Sequence, residues 1–264
     1  MVLATIVVLA IFLALGIAAN AWVRPFTKTE VQGVKLELLV SPLLTLTALL
    51  LAFFLVQVFS SYQRARLSAG DEAGRVIAEY RLFGYLPDQY ALRGQAALLC
   101  YARAVAELEW PALRDELKVA PQPSYWVDRL GEVLRELAEV RNGQPYGTLV
   151  ATDRDRVDAR RRRVLENRPA LPKPLFWLML GVSAVAVLSI ATFTLPYVRR
   201  RVQIGALTLL TLVFAAVQVA ILEIDTKFDG VIRLEPEEMR LAARLMEEKL
   251  HGLAPPCDAE GRPL

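Results

Sequence analysis

Few residues in this sequence have the type and spacing to do chemistry. The single histidine, His251, stands near the C-terminal end and has no second imidazole with which to share a metal or build a Ser-His-Asp relay. Cys100 and Cys257 are the two cysteines, too few for a disulfide framework or a four-ligand zinc site. Asp71-Glu72 with Glu79, and Asp225 with Asp229, are the acidic groupings close to apolar stretches. Either could hold a cation, although acidic residues at helix ends are more often solvated or paired with arginine. No G-x-x-x-x-G-K-[ST], G-x-G-x-x-G, H-E-x-x-H, C-x-x-C or G-x-S-x-G occurs. The reading is no enzyme, no cofactor and no metal site. What remains is arginine: the run Arg160-Arg161-Arg162-Arg163 and the triplet Arg199-Arg200-Arg201. Either could concentrate anions, and the first could equally rest on anionic lipid headgroups.

The elements that must position these residues are mostly apolar. Of the 264 residues 55% are hydrophobic and 22% charged, with a net charge of +3. The mean hydropathy is +0.35. A soluble domain holds less apolar residue than this, and +3 is too weak a charge for nucleic acid. Four runs are long enough to cross a bilayer: Val2–Val23, about Leu38–Phe59, about Leu175–Val198 and about Val202–Leu222. Ala19-Asn20-Ala21 fits a signal-peptidase site, but no basic segment precedes the first run, so an uncleaved helix is expected.

Helical periodicity dominates the polar segment between the second and third runs. Asp88 is a candidate N-cap after Leu86-Pro87, a helix is expected from about Gln89 to Trp110, and Pro111, Pro121 and Pro123 punctuate the next stretch. Ser124 is expected to cap the next helix, and a last one spans about Pro145–Asn167. The fold class is all-α: a polytopic membrane protein with four transmembrane helices and a helical cytoplasmic domain between the second and third. The expected division is 1–60 and 173–223 for two transmembrane hairpins, 61–172 for the cytoplasmic domain and 224–264 for a cytoplasmic tail. Thirteen Lys and Arg near helix ends on the side of the central segment, against six on the other, direct that side into the cytoplasm of an inner-membrane protein.

The stretch from Leu50 to Leu113 carries a recognisable pattern. An apolar helix runs into Arg64 and Arg66, then come Glu72-Ala73, Tyr80, the break Leu86-Pro87, Tyr101 and Glu109-Trp110-Pro111. After the fourth run stands Asp225-Thr-Lys-Phe228-Asp-Gly230, and then Glu235-Pro236. These segments resemble the bestrophin-like family of bacterial membrane proteins, distantly similar to the bestrophin anion channels. The family usually has proline where this chain has Lys227. The resemblance implies four membrane helices, a helical cytosolic region, a homo-oligomer (a pentamer) and an inorganic anion as partner besides the bilayer. The acidic calcium clasp of animal bestrophins has no counterpart here.

Two functions are expected on these grounds. The first is an oligomeric, anion-conducting channel whose second membrane helix lines the pore with Thr47, Phe53, Phe54, Gln57, Ser61 and Arg64, and whose mouth carries Arg199, Arg200 and Arg201. Phe54 and Gln57, three residues apart, are expected to share a face, with Phe54 as the constriction and Phe53 as its rival. The fourth helix adds Thr208, Thr211 and Gln218, and the first Asn20. The second is a non-conducting scaffold or sensor that binds a partner through the cytoplasmic domain. Glu72, Tyr80, Glu109, Trp110, Pro111, Asp225, Phe228 and Gly230 are expected to be structural.

Overall fold

The computed structural model describes residues 2–23, 37–115, 119–140, 143–193, 200–250 and 254–264. Among them the secondary structure is helical, apart from one isolated bridge between Cys257 and Pro263. The helices are α1 (Val2–Val23), α2 (Glu37–Phe83), α3 (Asp88–Ala104), α4 (Trp110–Asp115), α5 (Pro121–Val140), α6 (Tyr146–Glu166), α7 (Lys173–Phe193), α8 (Arg200–Asp225) and α9 (Glu237–Lys249). Four of them, α1, α2, α7 and α8, are long and apolar enough to cross a membrane. In hydrocarbon every backbone N–H and C=O must be satisfied within the segment, so a helix is what such runs form.

The chain divides into two compact units, Met1–Ser61 with Pro169–Asp225, and Tyr62–Arg168 with Thr226–Leu264. In the first, α1 packs on α7 and α8, and the apolar first part of α2 contributes Leu51, Phe54 and Val58 to a common core with Leu9, Phe176, Phe214 and Ile221. Small residues let α1 and α7 approach closely: a Cβ on Gly16 would lie 2.5 Å from the Cβ of Ala191 and 3.1 Å from the carbonyl oxygen of Leu188. The outward surface carries Leu3, Leu15, Leu49, Phe53, Trp177 and Leu209, all exposed. Apolar side chains outside and a packed core inside suit lipid as the solvent.

In the second unit α3 is the central element. Its run Leu98-Leu99-Cys100-Tyr101-Ala102 is fully buried, so the helix is covered on every side, by α5, by α9 and by the C-terminal residues. A Cβ on Gly94 would overlap the ring of Phe83, which explains the glycine.

Several boundaries differ from those expected. The helix that should stop at Trp110 continues: Val105–Glu109 is a π-turn, the Trp110 N–H bonds to the carbonyl of Val105, and α4 begins through Pro111. Proline lacks the N–H that an α-turn needs, and one turn of wider i→i+5 bonding takes up the mismatch. Pro121 and Pro123 do not interrupt; both lie in the first turn of α5, where missing N–H groups cost nothing. Ser124 is therefore inside α5 rather than at its cap. Asp88 is the first residue of α3, not its N-cap, which is Pro87 with no side-chain bond.

Candidate functional site

Helix α2 carries the expected pore residues, five of them in the first unit and Arg64 in the second, and burial divides them. Thr47, Phe54 and Ser61 are buried, with Thr47 Oγ1 donating to the carbonyl of Leu43 at 2.7 Å. Phe53, Gln57 and Arg64 are exposed. Phe54, 5% exposed, thus belongs to the core of the bundle, whereas Phe53, 63% exposed, shares the outward face with Gln57. The two rings meet edge-on with centroids 6.0 Å apart. The expectation that Phe54 and Gln57 face the same way fails because the roughly 60° between them straddles the margin of the core. On α8, Thr211 and Gln218 are buried and Thr208 exposed, and the Asn20 amide of α1 donates to the carbonyl of Thr192 at 2.8 Å. Arg199 and the side chain of Arg200 lie outside the described residues; Arg201 is exposed.

The second unit holds a ladder of buried charge. Glu72 and Glu79, seven residues apart on α2, meet Arg163 and Arg156, seven apart on α6, with the two helices antiparallel. All four side chains have 0% exposure. Arg163 bridges Glu72 and Glu109, both at 2.5 Å, and lies over the ring of Trp110, 4.9 Å from its centroid. Arg160 forks onto Glu109 and reaches Ser124 Oγ at 3.2 Å. Tyr101 donates to Glu72 at 2.6 Å while the Arg156 guanidinium sits 4.7 Å above its ring. Each of the three guanidiniums therefore meets at least one carboxylate of Glu72, Glu79 and Glu109, which is what burial demands of charge.

Within the ladder the carboxylates are held differently. At Glu109 burial raises the pKa, but Arg163 and Arg160 outweigh it and keep the group below its ordinary value. At Glu79 burial wins, and the pKa rises from 4.5 to about 7. Arg156 opposes that rise, yet it is shared with Asp153, and Glu79 Oε1 has no partner. Burial, with Glu72 adding to it, pushes the Tyr101 phenol well up.

The run Arg160–Arg163 is thus no open basic surface. Arg160 and Arg163 enter the ladder, while Arg161 and Arg162 are exposed, Arg162 pairing with Asp71 at 2.7 Å. The acidic grouping Asp71, Glu72 and Glu79 is likewise occupied by arginine. Asp225 accepts the backbone N–H groups of Ala170 and Leu171, at 2.7 Å from the first. Lys227, where proline was the expected residue, is buried and donates to the carbonyls of Glu166 and Arg168, both at 2.8 Å, closing the C-terminal end of α6. Phe228 packs edge-on against Trp110 at 5.3 Å, and Trp110 Nε1 donates to the carbonyl of Leu234 at 2.9 Å. Gly230 holds φ +87°, a left-handed turn that suits glycine. Tyr80 donates to the carbonyl of Met246 at 3.2 Å.

Sequence reasoning missed Arg156, Arg160 and Arg163 as partners of Glu72, Glu79 and Glu109. The matched seven-residue spacings were the signal that could have found them. It also missed the bond between Cys100 and Cys257, since two cysteines are too few to announce a framework.

The sequence matches the Bestrophin-like domain over residues 1–239. No curated protein matches it. Crystal structures of a bacterial bestrophin homologue from Klebsiella pneumoniae share the fold. One substituted form superposes with a TM-score of 0.72 at 14% identity, covering 94% of this chain and 99% of that one. A second crystal structure of that homologue gives 0.72 at 13% identity with the same coverage of 94% and 99%. A further variant gives 0.71 at 15% identity.

Proposed function

The chain belongs to the bestrophin-like family, and from that premise we propose that it assembles into a ring of identical subunits, a pentamer, around an axial path that conducts inorganic anions. The outward face of α2 carries the reading. Gln57 lies within a membrane span yet is exposed on the single subunit, beside the exposed Phe53. An amide facing hydrocarbon costs several kcal/mol, about 2–7 by transfer data, and a water-filled path removes that cost. Phe53 then forms the hydrophobic constriction and Gln57 donates to the passing ion. The triplet Arg199, Arg200 and Arg201 supplies positive charge at one end of the path, and Arg64, paired with Glu166 at 3.4 Å, stands toward the other. Phe54 is assigned to the bundle core instead. The second unit is assigned to the cytoplasm of an inner-membrane protein by the balance of basic residues.

The test is purified protein in planar bilayers across a chloride gradient. The reversal potential should move toward that of chloride. Phe53→Ala should raise unitary conductance, Gln57→Leu should lower it, and Phe54→Ala should lower thermal stability and leave conductance of the folded fraction unchanged. A folded oligomer that passes no current would sink the channel and favour the scaffold; a reversal potential that tracks the cation would sink the anion.

A further inference from the structure

Cys100 and Cys257 form a disulfide between the C-terminal part of α3 and the segment after α9. They are the two cysteines of the chain, and both are buried, at 0% and 3% exposure. Residues 254–264 lie as a strap across α3 and α5. The strap is folded on itself: the Asp258 carboxylate accepts the N–H groups of Glu260 and Arg262, and Cys257 bridges to Pro263. It is seated by Trp126 Nε1, which donates to the carbonyl of Gly261 at 2.7 Å, and by Arg103, which donates to that of Asp258 at 3.2 Å. Gly261 has φ +84° and lies flat on α3, where a Cβ would overlap the backbone nitrogen of Ala104 and the carbonyl oxygen of Cys100. On either side of Cys257 and Gly261 the strap is open to solvent, Pro256, Ala259, Glu260 and Arg262 all being exposed.

We propose that the Cys100–Cys257 pair is a thiol–disulfide switch that locks and releases this strap. Among the described residues two hydrogen bonds to helices α3 and α5, the Gly261 contact and apolar packing seat it beside the single covalent link. The unit that carries it is the one assigned to the cytoplasm, where disulfides are chiefly transient or redox-sensing. Release requires a dithiol. As the exposed flanks of the strap fluctuate away from α3, a thiolate of the dithiol reaches the otherwise buried Cys257 Sγ and expels the Cys100 thiolate, which takes a proton from solvent. The second thiol of the dithiol then closes its own disulfide and frees the Cys257 thiolate, which is protonated in turn. Two electrons and two protons pass from the dithiol to the protein, and no atom is left unaccounted for. Once reduced, the strap exchanges between seated and open states. Opening removes the wall that Ala254, Pro256, Pro263 and Leu264 give to the groove they line with Leu92, Tyr125 and Val133, and bares the α3 and α5 surface beneath the strap. None of this depends on ion conduction, so the proposal stands or falls apart from the channel reading.

The experiment uses the full chain in detergent micelles, prepared without reductant. Alkylation under denaturing conditions should find no free thiol, and after dithiothreitol it should find two. Limited proteolysis of the native protein should then clip residues 251–264 at least about ten-fold faster in the reduced than in the oxidised form. Cys257→Ser should behave as reduced protein under both conditions, with helical circular dichroism checking its fold. Gly261→Leu, which keeps both thiols and blocks the seat, should retain free thiols even after mild oxidation. Two free thiols in the protein prepared without reductant, or equal clipping of both forms, would overturn the switch. So would full disulfide formation in Gly261→Leu.

Discussion

Glu79 is the residue at which the balance of burial against pairing is closest. Its carboxyl titrates near 4.5 in the unfolded chain and at about 7 in the folded protein, burial being the main cause and the Arg156 guanidinium only partly offsetting it. Between those values the native state keeps a proton that the unfolded chain has released. Stability therefore falls as pH rises from about 4.5 to 7 and levels off above, by on the order of 1–3 kcal/mol. Glu79→Gln, which resembles the protonated acid, should flatten that slope. Thermal melts in detergent at pH 5 and pH 8 check it: equal losses for both proteins would mean that Glu79 stays ionised throughout. Glu109 stands opposite, because Arg160 and Arg163 together outweigh its burial. Trp110 shows how one side chain can hold several segments, with its ring under Arg163, its edge on Phe228 and its N–H on Leu234.

Among the elements, the contact of α1 with α7 is set by small residues. Without a hydrophobic force between helices in lipid, close van der Waals approach has to supply the association. Gly16→Leu should force α1 away from Ala191 and Leu188 and lower stability by about 1–3 kcal/mol. Gly181→Leu on α7, where a Cβ would meet nothing within 4 Å, serves as the control and should be neutral. Equal melting temperatures for the two variants would show that α1 does not pack there. The pairing of α2 with α6 works differently, through long side chains that reach across: the seven-residue repeat of Glu72 and Glu79 answers that of Arg163 and Arg156. Removing one arginine would leave a buried carboxylate unpaired, which makes the ladder specific about register even where its net stabilisation is small. At α3 the π-turn before Pro111 carries the chain through a residue that ordinarily ends a helix.

For the whole molecule, the sidedness of the second unit is the property on which both the channel reading and the redox switch lean. Tyr85, in the turn after α2, is 76% exposed, and the native cysteines are consumed in a buried disulfide. Tyr85→Cys in a Cys100→Ser, Cys257→Ser background therefore places a single reactive thiol on that unit, whichever redox state the native pair adopts. A membrane-impermeant maleimide should label it only after the cell membrane is permeabilised. Labelling of intact cells would place the unit outside, and the arginine triplet of the second hairpin would then face the cytoplasm. Four apolar helices, the Bestrophin-like domain match over residues 1–239 and the superposition on a bacterial bestrophin homologue agree on a membrane protein of this fold.

Four spans, helices throughout and a helical polar segment were legible in the sequence because each depends on a local quantity. Apolar length decides whether a run can cross, and hydrocarbon leaves the backbone no partner but its own helix. The burial of Trp110 was legible because a tryptophan that ends an apolar stripe is seldom left in water, whereas the run of the helix through Pro111 was not. Which way Phe53 and Phe54 point was not, since adjacent residues differ by about 100° and only the positions of α1, α7 and α8 decide which is enclosed. Arg163 reads in sequence as one of four like charges, and its burial depends on carboxylates 91 and 54 residues away. Cys100 and Cys257 stand 157 residues apart, and nothing local brings them together. Periodicity and hydropathy belong to the chain; pairing, facing and burial belong to the fold, because each needs a second segment whose place no local pattern encodes.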